Sequence, residues 1–322
     1  MRFRILSAVV GIGLSALAGA AWASMDAEAS AVCEACHEEH KLQMAGHKHS
    51  VAADARTPTC VSCHGPSEKH PEDPGAVKPD RRFKGANALR GNDASATCLA
   101  CHEKDAKRTL WATSTHPSAD VGCTSCHRVH VHSDPLLAKT SQPTVCYSCH
   151  QEQRTRVNLA SRHPVAEGKM TCSDCHSVHG SAGPKLMKRD STNDTCYLCH
   201  AEKRGPYVHP HPEATEDCAT CHNPHGSSVA AMLKARPPIL CQQCHTPHVA
   251  GGVGALGGQP GVFPPPVAGQ YQSEVTATSS GKNTVNIWQG RSCLNCHTQV
   301  HGSNNPASGV PLGNPTPQYL FR

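Results

Sequence analysis

The run HPVAEGKMTCSDCHSVH, residues 163–179, decides how the rest of the chain is read. It places His163-Pro164 ahead of Cys172-Ser173-Asp174-Cys175-His176, with His179 three residues further on. A Cys-x-x-Cys-His run is the attachment signature of a c-type haem. Two thiols one short turn apart can form thioethers with the two vinyl groups of one porphyrin, and the histidine that follows is swung under the ring as an axial ligand to iron. His163 and His179 are then available to ligate iron from the other face.

The unit recurs. All 20 cysteines fall into ten such motifs: Cys33 and Cys36, Cys60 and Cys63, Cys98 and Cys101, Cys123 and Cys126, Cys146 and Cys149, Cys172 and Cys175, Cys196 and Cys199, Cys218 and Cys221, Cys241 and Cys244, Cys293 and Cys296. The proximal histidines are His37, His64, His102, His127, His150, His176, His200, His222, His245 and His297. Zinc knuckles and disulfide scaffolds also use paired cysteines. Neither needs a histidine after every second cysteine, and 24 His in 322 residues make a chance match roughly one in thirteen per site. Ten covalent c-type haems are the expectation.

Histidine supply fits closed irons. Removing ten proximal residues from 24 leaves fourteen, enough for ten second ligands, while only 6 Met are present. Bis-histidine ligation throughout implies low-potential haems with no vacant position, which argues against a multihaem enzyme. Aromatic residues are only 4 % of the chain, so the expected interior is the porphyrins rather than side chains. The formal charge of +5 belongs to the bare polypeptide, and two propionates per haem add about −20, so no nucleic-acid partner is inferred.

Residues 1–23 read as a secretory signal peptide: Arg2 and Arg4, an apolar run from Ile5 to Ala20, then Ala21-Trp22-Ala23 as a cleavage site. Residues 24–322 read as the cytochrome domain, with about five haems in 24–150 and five in 151–322. The expected fold class is a multihaem cytochrome c, mostly irregular with short helices, almost no sheet, drawn out as an elongated haem wire. Motifs come mostly 22 to 27 residues apart, too close for a conventional domain between attachment sites.

A longer period underlies the short one. From Cys123 to Cys172 is 49 residues, and from Cys172 to Cys218 is 46. Each of these three motifs follows a His-Pro (His116, His163, His211) and precedes a histidine three places beyond the proximal one (His130, His179, His225). The intervening motifs have neither, so the repeat is a two-haem unit. A histidine three residues after the proximal one starts on the same face of the ring and cannot readily reach the opposite face. It is expected to serve a neighbouring haem, cross-linking consecutive groups. The candidate distal ligands are His49, His70, His116, His130, His163, His179, His211, His225, His248 and His301. His47 competes with His49 and His209 with His211, while His40 and His132 are left out. The basic cluster Lys78, Arg81, Arg82 and Lys84 reads as solvated surface, and the Gly/Pro-rich 249–283 as a surface loop or a segment lying against a partner.

The runs MTCSDCHSVHG (170–180), NDTCYLCHAEKRGP (193–206), CATCHNPHGS (218–227), CQQCH (241–245) and GRSCLNCHTQVHGS (290–303) resemble the periplasmic decahaem cytochromes of outer-membrane porin–cytochrome conduits. These are the Mtr, Mto and Pio type, with the similar DmsE-type cytochromes. The resemblance implies a bis-histidine haem wire inside a β-barrel porin, in the periplasm at the outer membrane, passing electrons between periplasmic or inner-membrane cytochromes and an extracellular multihaem cytochrome, mineral or ion. It implies distal roles for His116, His130, His163, His179, His211, His225, His248 and His301. The crowding of His40, His47 and His49 departs from the pattern and leaves the first distal ligand open. Ten porphyrins at roughly 10 Å per step would span about 90 Å, beyond the ~40–45 Å of a bilayer, and such a wire needs a sheath against lipid. The alternative is a soluble periplasmic shuttle or store, or an electron donor to a terminal reductase such as an extracellular dimethyl sulfoxide reductase.

Overall fold

The computed structural model describes residues 28, 30–51, 57–245, 292–295 and 297–304. The expected signal peptide, Cys296, His248 and the 249–283 connector lie outside the described residues.

Short helices and turns are joined by irregular chain, as Gly- and Pro-rich connectors dictate. The helices are α1 (Glu38–Met44), α2 (Cys60–His64), α3 (Gly91–His102), α4 (Thr115–Ser118), α5 (Gln142–Tyr147), α6 (Gln151–Arg156), α7 (Cys172–Cys175), α8 (Thr192–Cys196) and α9 (Pro212–Glu216). Among the described residues the sheet is one ribbon, β1 (His209–Pro210) antiparallel to β2 (Gly302–Ser303), with His209 opposite Ser303.

Each motif is wound by one helical turn. The backbone N–H of the proximal histidine donates to the carbonyl of the first cysteine at 2.8–3.0 Å in the motifs of His37, His127, His150, His176, His200, His222, His245 and His297. The motifs of His64 and His102 lie in α2 and at the end of α3. A turn of this pitch puts residues i, i+3 and i+4 on one side, which brings two thiols and an imidazole to one face. Two of these turns are started by capping boxes, Thr59 with Ser62 and Thr171 with Asp174.

Neighbouring motifs are tied in pairs. Ser95 in α3 accepts from the N–H of Cys123 at 3.1 Å, Gln142 in α5 from that of Ser173 at 3.1 Å, and Asn193 in α8 from that of Cys218 at 2.6 Å. The sulfurs of Cys98 and Cys123, of Cys146 and Cys172, and of Cys196 and Cys218 lie beside each other. Cys33 meets Cys60 and Cys241 meets Cys293 in the same way. Gly122 permits the approach of Cys123 to α3, since a Cβ there would lie 2.1 Å from the Gly91 carbonyl oxygen. The two-motif period is thus a physical pair.

The chain divides into two compact units. One takes the described residues up to His150 together with Glu167–Lys188, and the other takes Gln151–Ala166 with the described residues from Arg189 on. The sixth motif, Cys172–His176, thus lies in the first of these units. Among the described residues few apolar side chains are buried, including Val61, Ala94, Trp111 and Met187 in the first unit and Val157 in the second. Among the described residues no helix is long and apolar enough to cross a membrane.

Candidate haem sites

The proximal histidines are not isolated. His37 faces His70 with ring centres 6.2 Å apart, His64 faces His130 at 5.8 Å, and His102 faces His49 at 5.9 Å. His127 faces His179 at 6.0 Å and His150 faces His116 at 6.3 Å. In the second unit His200 faces His163 at 6.2 Å, His222 faces His301 at 6.1 Å and His245 faces His211 at 5.9 Å.

That spacing has a chemical meaning. A metal–imidazole bond is about 2.0 Å and the nitrogen lies roughly 1.1 Å from its ring centre, so two imidazoles on one metal have centres about 6.2 Å apart. Rings in direct stacking contact come closer, as His40 and His130 do at 4.7 Å. The interplanar angles run from 9° for His222–His301 to 82° for His116–His150. Rotation about the metal–nitrogen axis leaves that angle free, so both extremes suit a pair of axial ligands. With two thiols beside each proximal ring, the residues fit a haem at every such pair.

Ring nitrogens are set in place by their neighbours. Nδ1–H donates to a backbone carbonyl at His64 (Arg81, 2.9 Å), His70 (Val77, 2.7 Å), His116 (Val178, 3.2 Å), His163 (Pro224, 2.8 Å), His176 (Lys185, 3.0 Å) and His222 (Ala231, 2.7 Å). Such a bond fixes the tautomer and leaves Nε2 for the metal. At His127 the acceptor is the buried carboxylate of Asp134, 2.6 Å away. At His102 the Arg108 guanidinium lies 3.2 Å from Nδ1, itself paired with Asp105. At His211 it is Nε2 that meets a carboxylate, Glu213 at 3.3 Å. Burial is the main cause that lowers the pKa of His49, His130, His179 and His301, which favours the neutral ring.

The histidines left in doubt by sequence are separated by placement. His49 reaches a proximal ring, whereas His47 caps the turn below it, its Nδ1 accepting from the N–H of His49 at 3.2 Å. His211 reaches His245, whereas His209 lies in β1. His132 hydrogen-bonds the Ala45 carbonyl, and His40 stacks on His130. His225 sits in a turn closed by Gly226 N–H to the Asn223 carbonyl at 3.0 Å.

The linkage differs from a chain of consecutive groups. His130, His179 and His301 each face the proximal histidine two motifs back, those of Cys60, Cys123 and Cys218. The His-Pro residues His116, His163 and His211 instead face the proximal histidines of the motifs at Cys146, Cys196 and Cys241. The two motifs of each pair already meet at their first cysteines, and the trailing histidine lies beyond that neighbour. Two features escaped the sequence reading. One is a glycine directly after His179, His225 and His301, with φ of +118°, +137° and +141°, where a Cβ would strike Leu110, Arg156 and Tyr207. The repeated His-Gly was the available signal. The other is Asp134, which no motif marks.

Motif turns, paired imidazoles and a scant side-chain core define a multihaem c-type cytochrome. Models of known families agree: residues 163–205 and 211–250 match the doubled CXXCH motif, and 60–143 match the cytochrome c-type protein NrfB-like family. The chain is 41 % identical over 281 residues to the multiheme cytochrome MtrA of Shewanella baltica, covering 85 % of this chain and 78 % of that protein. It is 31 % identical over 135 residues to the cytochrome c-type protein NrfB of Escherichia coli O6:H1, covering 40 % of this chain and 69 % of that protein. The chain belongs to the MtrA family of multihaem cytochromes, carries covalently attached c-type haems and transfers electrons.

Proposed function

We propose that the protein holds ten bis-histidine haems and carries electrons across the outer membrane inside a β-barrel porin, between periplasmic or inner-membrane cytochromes and an extracellular acceptor or donor. The observation that carries this reading is the set of proximal–distal ring pairs at 5.8–6.3 Å, each joining histidines from different motifs. When bound, a haem supplies one-electron chemistry. The polypeptide holds each pair of imidazoles, keeps Nδ1 protonated against a carbonyl at His64, His70, His116, His163, His176 and His222, and lays neighbouring attachment turns side by side. No iron in this reading has a vacant position, so the task is geometry and potential. His225 and His248 are proposed as the remaining distal ligands on their positions three residues after a proximal histidine.

Match to an MtrA over most of both chains supports the conduit. The NrfB-like match over residues 60–143 favours a second reading, a periplasmic electron donor to a reductase. Fractionation separates them. In cells lacking the partner porin, a conduit protein leaves the outer-membrane fraction, and vesicles holding porin and cytochrome reduce an external dye from an internal donor. Unchanged distribution in the periplasm, with no transmembrane reduction, would decide for the soluble donor. Haem content by alkaline pyridine assay must give ten, and electron paramagnetic resonance of the intact protein must show only low-spin iron.

A further inference from the structure

The same turn is built three times with one difference. After His127, His176 and His222, the residues at offsets +8 to +10 form short turns of identical register: Pro135–Leu137, Pro184–Leu186 and Ala230–Met232. In the last two, the residue at +9 is left-handed (Lys185, φ +53°, and Ala231, φ +55°), and its carbonyl accepts from the histidine Nδ1–H. A non-glycine residue held there is strained, so the contact is enforced by the surrounding turn. After His127 the turn lacks this left-handed residue. The Leu136 carbonyl accepts instead from Gln142 at 3.1 Å, and Asp134 at +7, where the other copies have Gly183 and Val229, supplies a carboxylate to Nδ1 at 2.6 Å.

The carboxylate is buried, its side chain 3 % exposed. Its other oxygen accepts from the N–H of Leu136 at 3.1 Å, so the group is fixed at both ends. No lysine or arginine among the described residues pairs with Asp134, unlike Arg108 and Asp105 beside His102, whose charges balance. A carboxylate on Nδ1–H gives the imidazole anionic character and raises its basicity, whereas a carbonyl does so weakly. A more basic axial ligand favours ferric over ferrous iron.

We propose that Asp134 is a positioning residue that sets the haem of His127 and His179 below its counterparts at His176 and His222, placing a step in potential within the row. This rests on the bis-histidine reading of those rings. An electron entering that haem reduces its iron from ferric to ferrous and leaves by oxidation of the same iron, with Asp134 unchanged throughout.

The test is D134N in the intact haem-loaded protein, with Asp134→Ser as the second uncharged variant, since serine also caps such a turn. The expected result is an unchanged haem count and low-spin spectrum, with one component of the redox titration shifted about tenfold toward the reduced form, near 59 mV for a one-electron couple. Asp134→Glu should keep the wild-type curve. A fully loaded uncharged variant that titrates as wild type overturns the inference. So does loss of a haem from both variants, which would make Asp134 a structural support only. Wild-type protein lacking low-spin haems would instead sink the bis-histidine reading.

Discussion

His179, proposed above as a distal ligand, makes two ring contacts. Its ring lies 6.0 Å from His127 while its edge packs against the buried Trp111 at 6.1 Å. Replacing it with methionine keeps a ligand of similar reach but exchanges an imidazole for a thioether, which raises the reduction potential. The expected outcome for His179→Met is one component moved upward, with the number of haems unchanged, read by redox titration and pyridine assay. A titration identical to wild type would remove His179 from the ligand set. The cysteines and proximal histidines could be read from sequence because their chemistry demands adjacent positions. Asp134 could not, because a carboxylate seven residues from a histidine has no meaning until the turn between them is folded.

At the scale of elements the determining contacts are polar. Asn193 in α8 is buried, accepts from Cys218 N–H at 2.6 Å and donates to the carbonyls of Ala214 and Thr215 at 3.1 and 3.0 Å. Ser95 makes the corresponding link in α3 with one accepted and one donated bond, from Cys123 N–H and to the Gly91 carbonyl. Truncation leaves these backbone groups unpaired at about 1–3 kcal/mol each when buried. Asn193→Ala is therefore expected to lower the thermal stability of the loaded protein by about 2–4 kcal/mol, and Ser95→Ala by less, in melts followed by circular dichroism. Equal small losses would show that the thioether attachments, not these links, hold the pair together. The two-motif period was legible because His-Pro and His-x-x-His alternate along the chain. Which motif each histidine serves was not, since that depends on how paired turns lie beside each other.

For the whole molecule, the question is what replaces a core. Among the described residues the buried apolar side chains include Val61, Ala94, Trp111 and Met187 in one unit and Val157 in the other, with Ser95, Thr171, Asn193 and Thr195 among the buried polar ones. Such a set cannot offset the conformational entropy of ordering long irregular connectors. The low aromatic content already pointed there, because a chain of this length that lacks large apolar residues must find its interior elsewhere. Thioethers restrain the chain and each porphyrin brings an apolar surface, and from this we infer that folding and haem attachment are one event, much as metal binding is folding in small metalloproteins. Chain made in cells without the haem-attachment machinery is accordingly expected to show no cooperative thermal transition and little amide-exchange protection. The helices α2 and α7, each one turn long, should be lost with the rest, since isolated helices of that length are unstable in water. A haem-free chain that melted cooperatively would show that the hydrogen-bonded turns alone suffice, and that the ring pairs exist before the iron that they are proposed to hold.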